Sequence, residues 1–162
     1  VAFEQFSSKL PKVKLFLVGP QEPTLDPLAK STLKAIDQNP SIILTGYQQD
    51  VRPFLKMAQV FVFPSYREGF PNVVLQAGAM GVPCIVSDIN GCNEIIEDEI
   101  NGFVVPPKQI QPLVEKMQFL YKDLEKRTIF IERTQTLIAT NFERAQYWEL
   151  LLAEYKRREE NV

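Results

Sequence analysis

The sequence predicts an α/β fold: a doubly wound parallel sheet with helices on both faces, followed by a helical C-terminal part over 109–162. Three observations carry this. Apolar runs of three to five residues recur without polar alternation, the pattern of strands buried on both faces. The segments between them show helical spacing, so the strands alternate with crossover helices. Each run also stops at glycine, proline or a polar turn, as Leu15-Phe16-Leu17-Val18 does at Gly19-Pro20.

The elements follow in order. Val1, Phe3, Phe6 and Leu10 fall on one side of an opening helix. That helix begins without a cap, at Val1 and not at Met, so we expect a fragment of something longer. After the Lys14–Val18 strand, Asp26 through Ile36 is spaced as a helix, with Leu28, Leu33 and Ile36 apolar. Ile42-Ile43-Leu44 is the second strand, running into Thr45-Gly46, and Val51–Met57 the next helix. Val60–Phe63 stops at Pro64, and Asn72–Met80 is a helix that Gly81 is placed to end. Cys84–Val86 stops at Ser87-Asp88, a short helix follows at Asn93–Glu97, and Phe103–Val105 is closed by Pro106-Pro107. Three helices remain: Ile110–Leu124, Thr128–Ala139 and Arg144–Arg158.

Composition removes whole classes of function. The 162 residues are 45% hydrophobic and 23% charged, enough apolar side chain for one domain with a real core. A net charge of −2 argues against gripping nucleic acid through a basic face. No apolar run approaches the length of a membrane span, and no signal-peptide pattern opens the chain. There is no histidine, so no imidazole base acts from within this chain. Cys84 and Cys92 are only two, too few for a four-cysteine zinc site, and read as reduced thiols of a cytosolic protein.

Ligands of an open parallel sheet bind beyond the carboxyl ends of its strands. The richest punctuation there is Pro64-Ser65-Tyr66-Arg67-Glu68-Gly69, just before the helix that opens with Phe70-Pro71-Asn72. A helix start presents unpaired amides and a positive dipole end, which suits phosphate. Gln76 lies five residues beyond Pro71, about 7.5 Å along the axis, and helical side chains lean back toward the start. Gln76 can therefore face a ribose beside a docked phosphate, with Glu68 on the other side near sugar hydroxyls. Plainer readings compete: a simple turn at 69–72, dipole complementation by Glu68, an exposed helix residue at Gln76 and an edge-covering role for Tyr47. Gly78 and Gly81 read as close packing and helix termination, and Glu94 as a capping residue. The residues by themselves give an anion or nucleotide cleft and no reaction.

The stretch from Pro64 to Ala77, followed by Gly81-Val82-Pro83, resembles the signature of retaining glycosyltransferases of family 4. So do Leu17-Val18-Gly19, Thr45-Gly46-Tyr47, Asp88–Ile96 and Asn101-Gly102-Phe103, in the family's order along nearly the whole chain. The resemblance is to the C-terminal, nucleotide-sugar-binding half of a GT-B enzyme, of the bacterial surface-polysaccharide type (capsule, lipopolysaccharide). It implies transfer of a sugar from a nucleoside diphosphate sugar, UDP- or GDP-linked, to an acceptor hydroxyl with retention and without metal or other cofactor.

The family hallmark is two glutamates separated by seven residues. The first falls on Glu68, implied to position the donor sugar and stabilise charge as the glycosyl bond loosens. The second falls on Gln76, where the family has a glutamate on the ribose. Glutamine accepts through one atom only, and neutral hydrogen bonds contribute about 0.5–1.5 kcal/mol against about 1.5–3 for charged ones. The ribose is then held more weakly. Gly69, Phe70, Pro71, Asn72 and Val73 match the stretch whose backbone faces sugar and diphosphate, with Pro71 replacing a glycine and removing one amide. Gly46 and Tyr47 match the loop bordering the base, and Gly19 the floor of the cleft.

The resemblance also implies what lies outside the chain. The basic phosphate-gripping residues belong to a first strand preceding Val1. An acceptor sugar or lipid-linked saccharide would enter through an N-terminal domain, and the last helix would cross back to it. The expected location is cytoplasmic, peripheral at the inner membrane face in the full-length protein. The alternatives are a sugar-nucleotide epimerase of the same fold and a non-enzymatic, flavodoxin-like interaction module.

Overall fold

The apolar runs become strands where the sequence places them. The computed structural model describes residues 1–8, 10, 12–21, 24 and 27–159. In chain order they form α1 (Ala2–Ser7), β1 (Leu15–Val18), α2 (Lys30–Asp37), β2 (Ile42–Gly46), α3 (Arg52–Met57), β3 (Phe61–Phe63) and α4 (Asn72–Ala79). Then come β4 (Cys84–Ser87), α5 (Cys92–Ile95), β5 (Phe103–Val105), α6 (Ile110–Lys122), α7 (Leu124–Asn141) and α8 (Arg144–Glu159). Lys9 of the opening helix and Asp26, the predicted start of the second, lie outside the described residues.

All strand pairings are parallel. β3, β4 and β5 lie side by side in that order, with Phe61 opposite Cys84 and Ile85 opposite Phe103. β4 is buried along its whole length, and its alternating side chains feed two different cores. Cys84 and Val86 join Leu55, Val74, Ala77 and Ile95, the residues that α3, α4 and α5 bury on one face. Ile85 points the other way, into Phe103, Leu113, Val114, Met117, Leu120 and Phe130, which α6 and α7 contribute with β5. A continuous apolar strand is needed because both of its faces are covered. The fold is therefore an α/β parallel sheet with helices on both faces and a helical C-terminal segment.

β1 and β2 pair with each other and not with that sheet, with Leu15 opposite Ile42. The expectation of strands buried on both faces fails here: neither strand has a fully buried residue, and Ile43 and Leu44 are 37% and 48% exposed. α2 buries no residue, and α3 meets β1 through Phe54, whose ring centre is 6.0 Å from that of Phe16, so little cover reaches this pair.

Helix boundaries also move, most in three helices. α2 starts at Lys30: Ala29 is extended, and Leu28 faces solvent, so the apolar spacing before it has no core to meet. α5 runs over Cys92–Ile95 in place of Asn93–Glu97, because Gly91 N–H donates to the Glu94 carboxylate at 3.2 Å and Glu97 N–H leaves the helix for Asn101 Oδ1 at 2.7 Å. α7 starts four residues early because Asp123 caps it, accepting from Lys126 N–H at 2.7 Å. Gly78 and Gly81 behave as read. A Cβ at Gly78 would sit 2.5 Å from Thr134 Cγ2 of α7, and Gly81 turns the chain at φ +74°.

Candidate functional site

The residues singled out by sequence lie at the carboxyl ends of β1 and β2, in one group, and of β3, in another. The densest part is the loop from Pro64 to Pro71 between β3 and α4. Within it Ser65 Oγ donates to Glu68 Oε1 at 2.7 Å, fixing one carboxylate oxygen of a half-buried side chain. The other oxygen is free of that bond. Arg67 is exposed, and Lys108 Nζ stands 5.2 Å from the centre of the Tyr66 ring. Lys108 follows β5 in a left-handed conformation, φ +63°, a strained placement for a residue with a side chain.

Gly69 is informative because the fold does not require it. Its φ is not left-handed, and a Cβ there would meet nothing within 4 Å. The space beside it is open, and backbone without a side chain can be approached closely there. Phe70 rests on Phe142, ring centres 5.6 Å apart, and Pro71 is buried as the residue that begins α4.

No side chain caps α4, and Pro71 carries no amide. Val74 N–H donates back to Pro71 O at 2.9 Å. The amides of Asn72 and Val73 are the first-turn donors that such a start leaves for a ligand. α5 differs: its first turn is closed by Glu94. Along α4, Val74, Ala77 and Gly78 are buried while Asn72 and Gln76 are exposed. Four residues apart, these two share the open face. Gln76 thus stands one turn along from the amides.

Gly19 and Gly46 are brought together. Gly19 N–H donates to Gly46 O at 3.0 Å, and both take positive φ, +136° and +66°, in open space. Tyr47 is 74% exposed.

Sequence reasoning missed the underside of the Glu68 loop. Gly91 and Cys92 lie beneath it, both buried. Burial, and then the Glu68 carboxylate, push the Cys92 thiol up to about 11, and burial pushes Cys84 up to about 12. A glycine after Asn90 signals a turn, and no local pattern says what the turn supports. Two broad surface hollows, about 430 Å³ beside α2 and about 540 Å³ along α7, take in none of the site residues. Among the described residues, no three His, Cys, Asp or Glu side chains gather where they could hold a metal ion.

A family model described as glycosyl transferases group 1 matches residues 1–123. Among curated proteins, the chain is similar to the capsular polysaccharide biosynthesis glycosyltransferase CapM of Staphylococcus aureus, 30% identical over 95% of this chain and 40% of that protein. It is also similar to an Escherichia coli UDP-Gal:α-D-GlcNAc-diphosphoundecaprenol α-1,3-galactosyltransferase, 38% identical over 47% of this chain and 20% of that one. Among solved structures, the C-terminal domain of the group 1 glycosyl transferase LpcC from Francisella tularensis superposes with a TM-score of 0.79. It is 24% identical, over 88% of this chain and 76% of that one, and shows the same fold. The chain spans well under half the length of the two curated relatives. By the family match, it belongs to the group 1 glycosyl transferases.

Proposed function

We propose that this member of the group 1 glycosyl transferases is the donor-binding, C-terminal half of a retaining GT-B enzyme of surface-polysaccharide synthesis. It binds a nucleoside diphosphate sugar, UDP- or GDP-linked, whose sugar passes to an acceptor hydroxyl. The observation that carries this reading is the loop from Glu68 to Pro71. A carboxylate fixed through one oxygen, a glycine the fold does not need and an uncapped helix start stand in sequence at a strand's carboxyl end.

The roles are those the family resemblance implies, and that geometry leaves room for them. The amides of Asn72 and Val73 meet the diphosphate, where donors already oriented act without reorganisation. Phe70 and Gly69 border the sugar. Glu68 lies against the sugar hydroxyls and stabilises positive charge as the glycosyl bond loosens. Gln76, on the open face of α4, takes the ribose. Gly46 and Tyr47 border the base, and Gly19, bonded to Gly46, forms the floor.

The strand ladder supports a larger whole. β1 and β3 each leave one edge unpaired among the described residues, and one parallel strand between them would join five strands into six. We assign that place to a strand upstream of Val1 carrying the basic residues for the diphosphate. A further N-terminal domain would receive an acceptor sugar or lipid-linked saccharide; the E. coli relative carries a diphosphoundecaprenol acceptor in its name. No described helix is long and apolar enough to cross a membrane.

The test is Glu68→Gln in the full-length protein, assayed for sugar transfer. Loss of a preorganised electrostatic partner costs turnover on the order of 10²–10³-fold. Turnover at the level of the unaltered enzyme overturns the assignment.

A further inference from the structure

Gly91 has the tightest surroundings of the described glycines, and its nearest neighbour is main chain. A Cβ there would lie 2.3 Å from Gly69 O, 2.8 Å from Pro71 Cδ and 3.1 Å from Phe70 Cα. All three neighbours belong to the Glu68 loop, and two are main-chain atoms. At Gly78 the near atoms are all side-chain atoms, Thr134 Cγ2 and Ile138 Cδ1, and at Gly102 the nearest is Ile96 Cγ2, with one main-chain atom, Cys84 O, at 2.9 Å. Gly91 is also left-handed, at φ +78°. Its turn is tied down on three sides. Asp88 N–H donates to Val105 O at 2.8 Å, Cys92 N–H to Ile89 O at 3.1 Å, and Gly91 N–H to Glu94 Oε1.

We propose that Gly91 is a positioning residue: its bare Cα is the seat on which the Gly69–Pro71 backbone lies, and this contact sets the height of Glu68 and of the first turn of α4. The proposal deepens the donor-site reading and rests on it for its functional meaning, while the seating itself stands on geometry. Any side chain at 91 must lift the loop, because Gly69 O belongs to the backbone and has no rotamer to change. The lift moves Glu68 away from its place and swings the amides of Asn72 and Val73 with it. An active-site group must be held within about half an ångström of its productive position, so a displacement of that size is enough to matter.

The two cysteines give a readout that separates this from general destabilisation. Cys92 follows Gly91, has no exposed surface and lies close enough to Glu68 to feel its charge; Cys84 is buried in β4. Lifting the loop uncovers Cys92 alone, whereas global opening uncovers both. The experiment is thiol labelling with iodoacetamide at pH 8 on the unaltered chain, Gly91→Ala and Glu94→Ala, resolved by peptide mass spectrometry. The same substitutions, in the chain extended upstream by one strand, are titrated with UDP and GDP.

The expected result for Gly91→Ala is a rise in Cys92 labelling of tenfold or more with Cys84 unchanged. Glu94→Ala, which only loosens the turn, gives a smaller rise with the same selectivity. It decides the matter if Gly91→Ala does not fold. Cysteines that label in step, or a Cys92 no faster than in the unaltered chain, overturn the proposal. If the unaltered extended chain binds UDP or GDP, affinity falls in step with Cys92 exposure; retained affinity with an exposed Cys92 overturns the functional role. If neither nucleotide binds, the donor reading loses its support, and the labelling ratio still decides whether Gly91 seats the loop.

Discussion

β4 and β2 are both apolar at their start, Cys84-Ile85-Val86 and Ile42-Ile43-Leu44, and end in different surroundings. β4 is buried throughout, between cores supplied by five helices and two flanking strands. β2 pairs with β1 alone and leaves Ile43 and Leu44 exposed. The candidate site straddles this divide. Glu68, the start of α4 and the Gly91 turn belong to the packed half; Gly19, Gly46 and Tyr47 hang from the open one. The half that would hold the diphosphate and sugar is thus built in place by packing. The half that would border the base has little packing beneath it, and the comparison teaches that the two parts of one ligand meet unequal degrees of preorganisation.

Core deletion breaks this comparison most directly. Ile85→Ala empties a fully buried site and is expected to cost about 2–5 kcal/mol in denaturant unfolding. A cost below about 1 kcal/mol would mean that β4 is not the centre of the packed half.

The thiols sharpen it next, since both lie in the packed half. Folded Cys84 and Cys92 stay neutral up to about 12 and about 11, above the ordinary thiol value of about 8.5 in the unfolded chain. A raised folded value stabilises fully below the unfolded one and is lost as pH climbs toward the folded one. Stability to urea should therefore be level up to about pH 8.5 and fall beyond it, by up to about 1.4 kcal/mol per pH unit for each thiol. Cys92→Ala should make the fall shallower, and an unchanged slope would remove Cys92 from the account.

The smallest effect is expected in the open half. Ile43→Ala, at 37% exposure, should shift stability by about 1 kcal/mol or less. A loss matching that of Ile85→Ala would erase the difference between the halves.

Much of the fold was legible because punctuation and apolar period agree. Gly81 ends α4 where its position in the sequence says, and each strand run becomes a strand. Starts of helices were less legible where a single polar contact decides them, as with Asp123 before α7 and Glu94 at α5. Burial was misread in β1 and β2 because an apolar run records the cover a strand can accept, and only tertiary structure says how much arrives. At the site, Glu68, Asn72 and Gln76 were readable as a loop residue and two positions one helical turn apart. Gly91 was not, since its contact bridges residues 69 and 91 and leaves no periodic trace. The bond from Ser65 to Glu68 also needed the folded loop to be seen.

The central claim is that a nucleoside diphosphate docks at the start of α4. An amide NMR titration of the chain, extended upstream by one strand, with UDP, GDP and ADP in turn tests it most directly. One nucleotide should shift the Asn72 and Val73 amides saturably, with weaker binding after Gln76→Ala. Amides at 72 and 73 that stay still in all three titrations, in a chain that is folded, would contradict it.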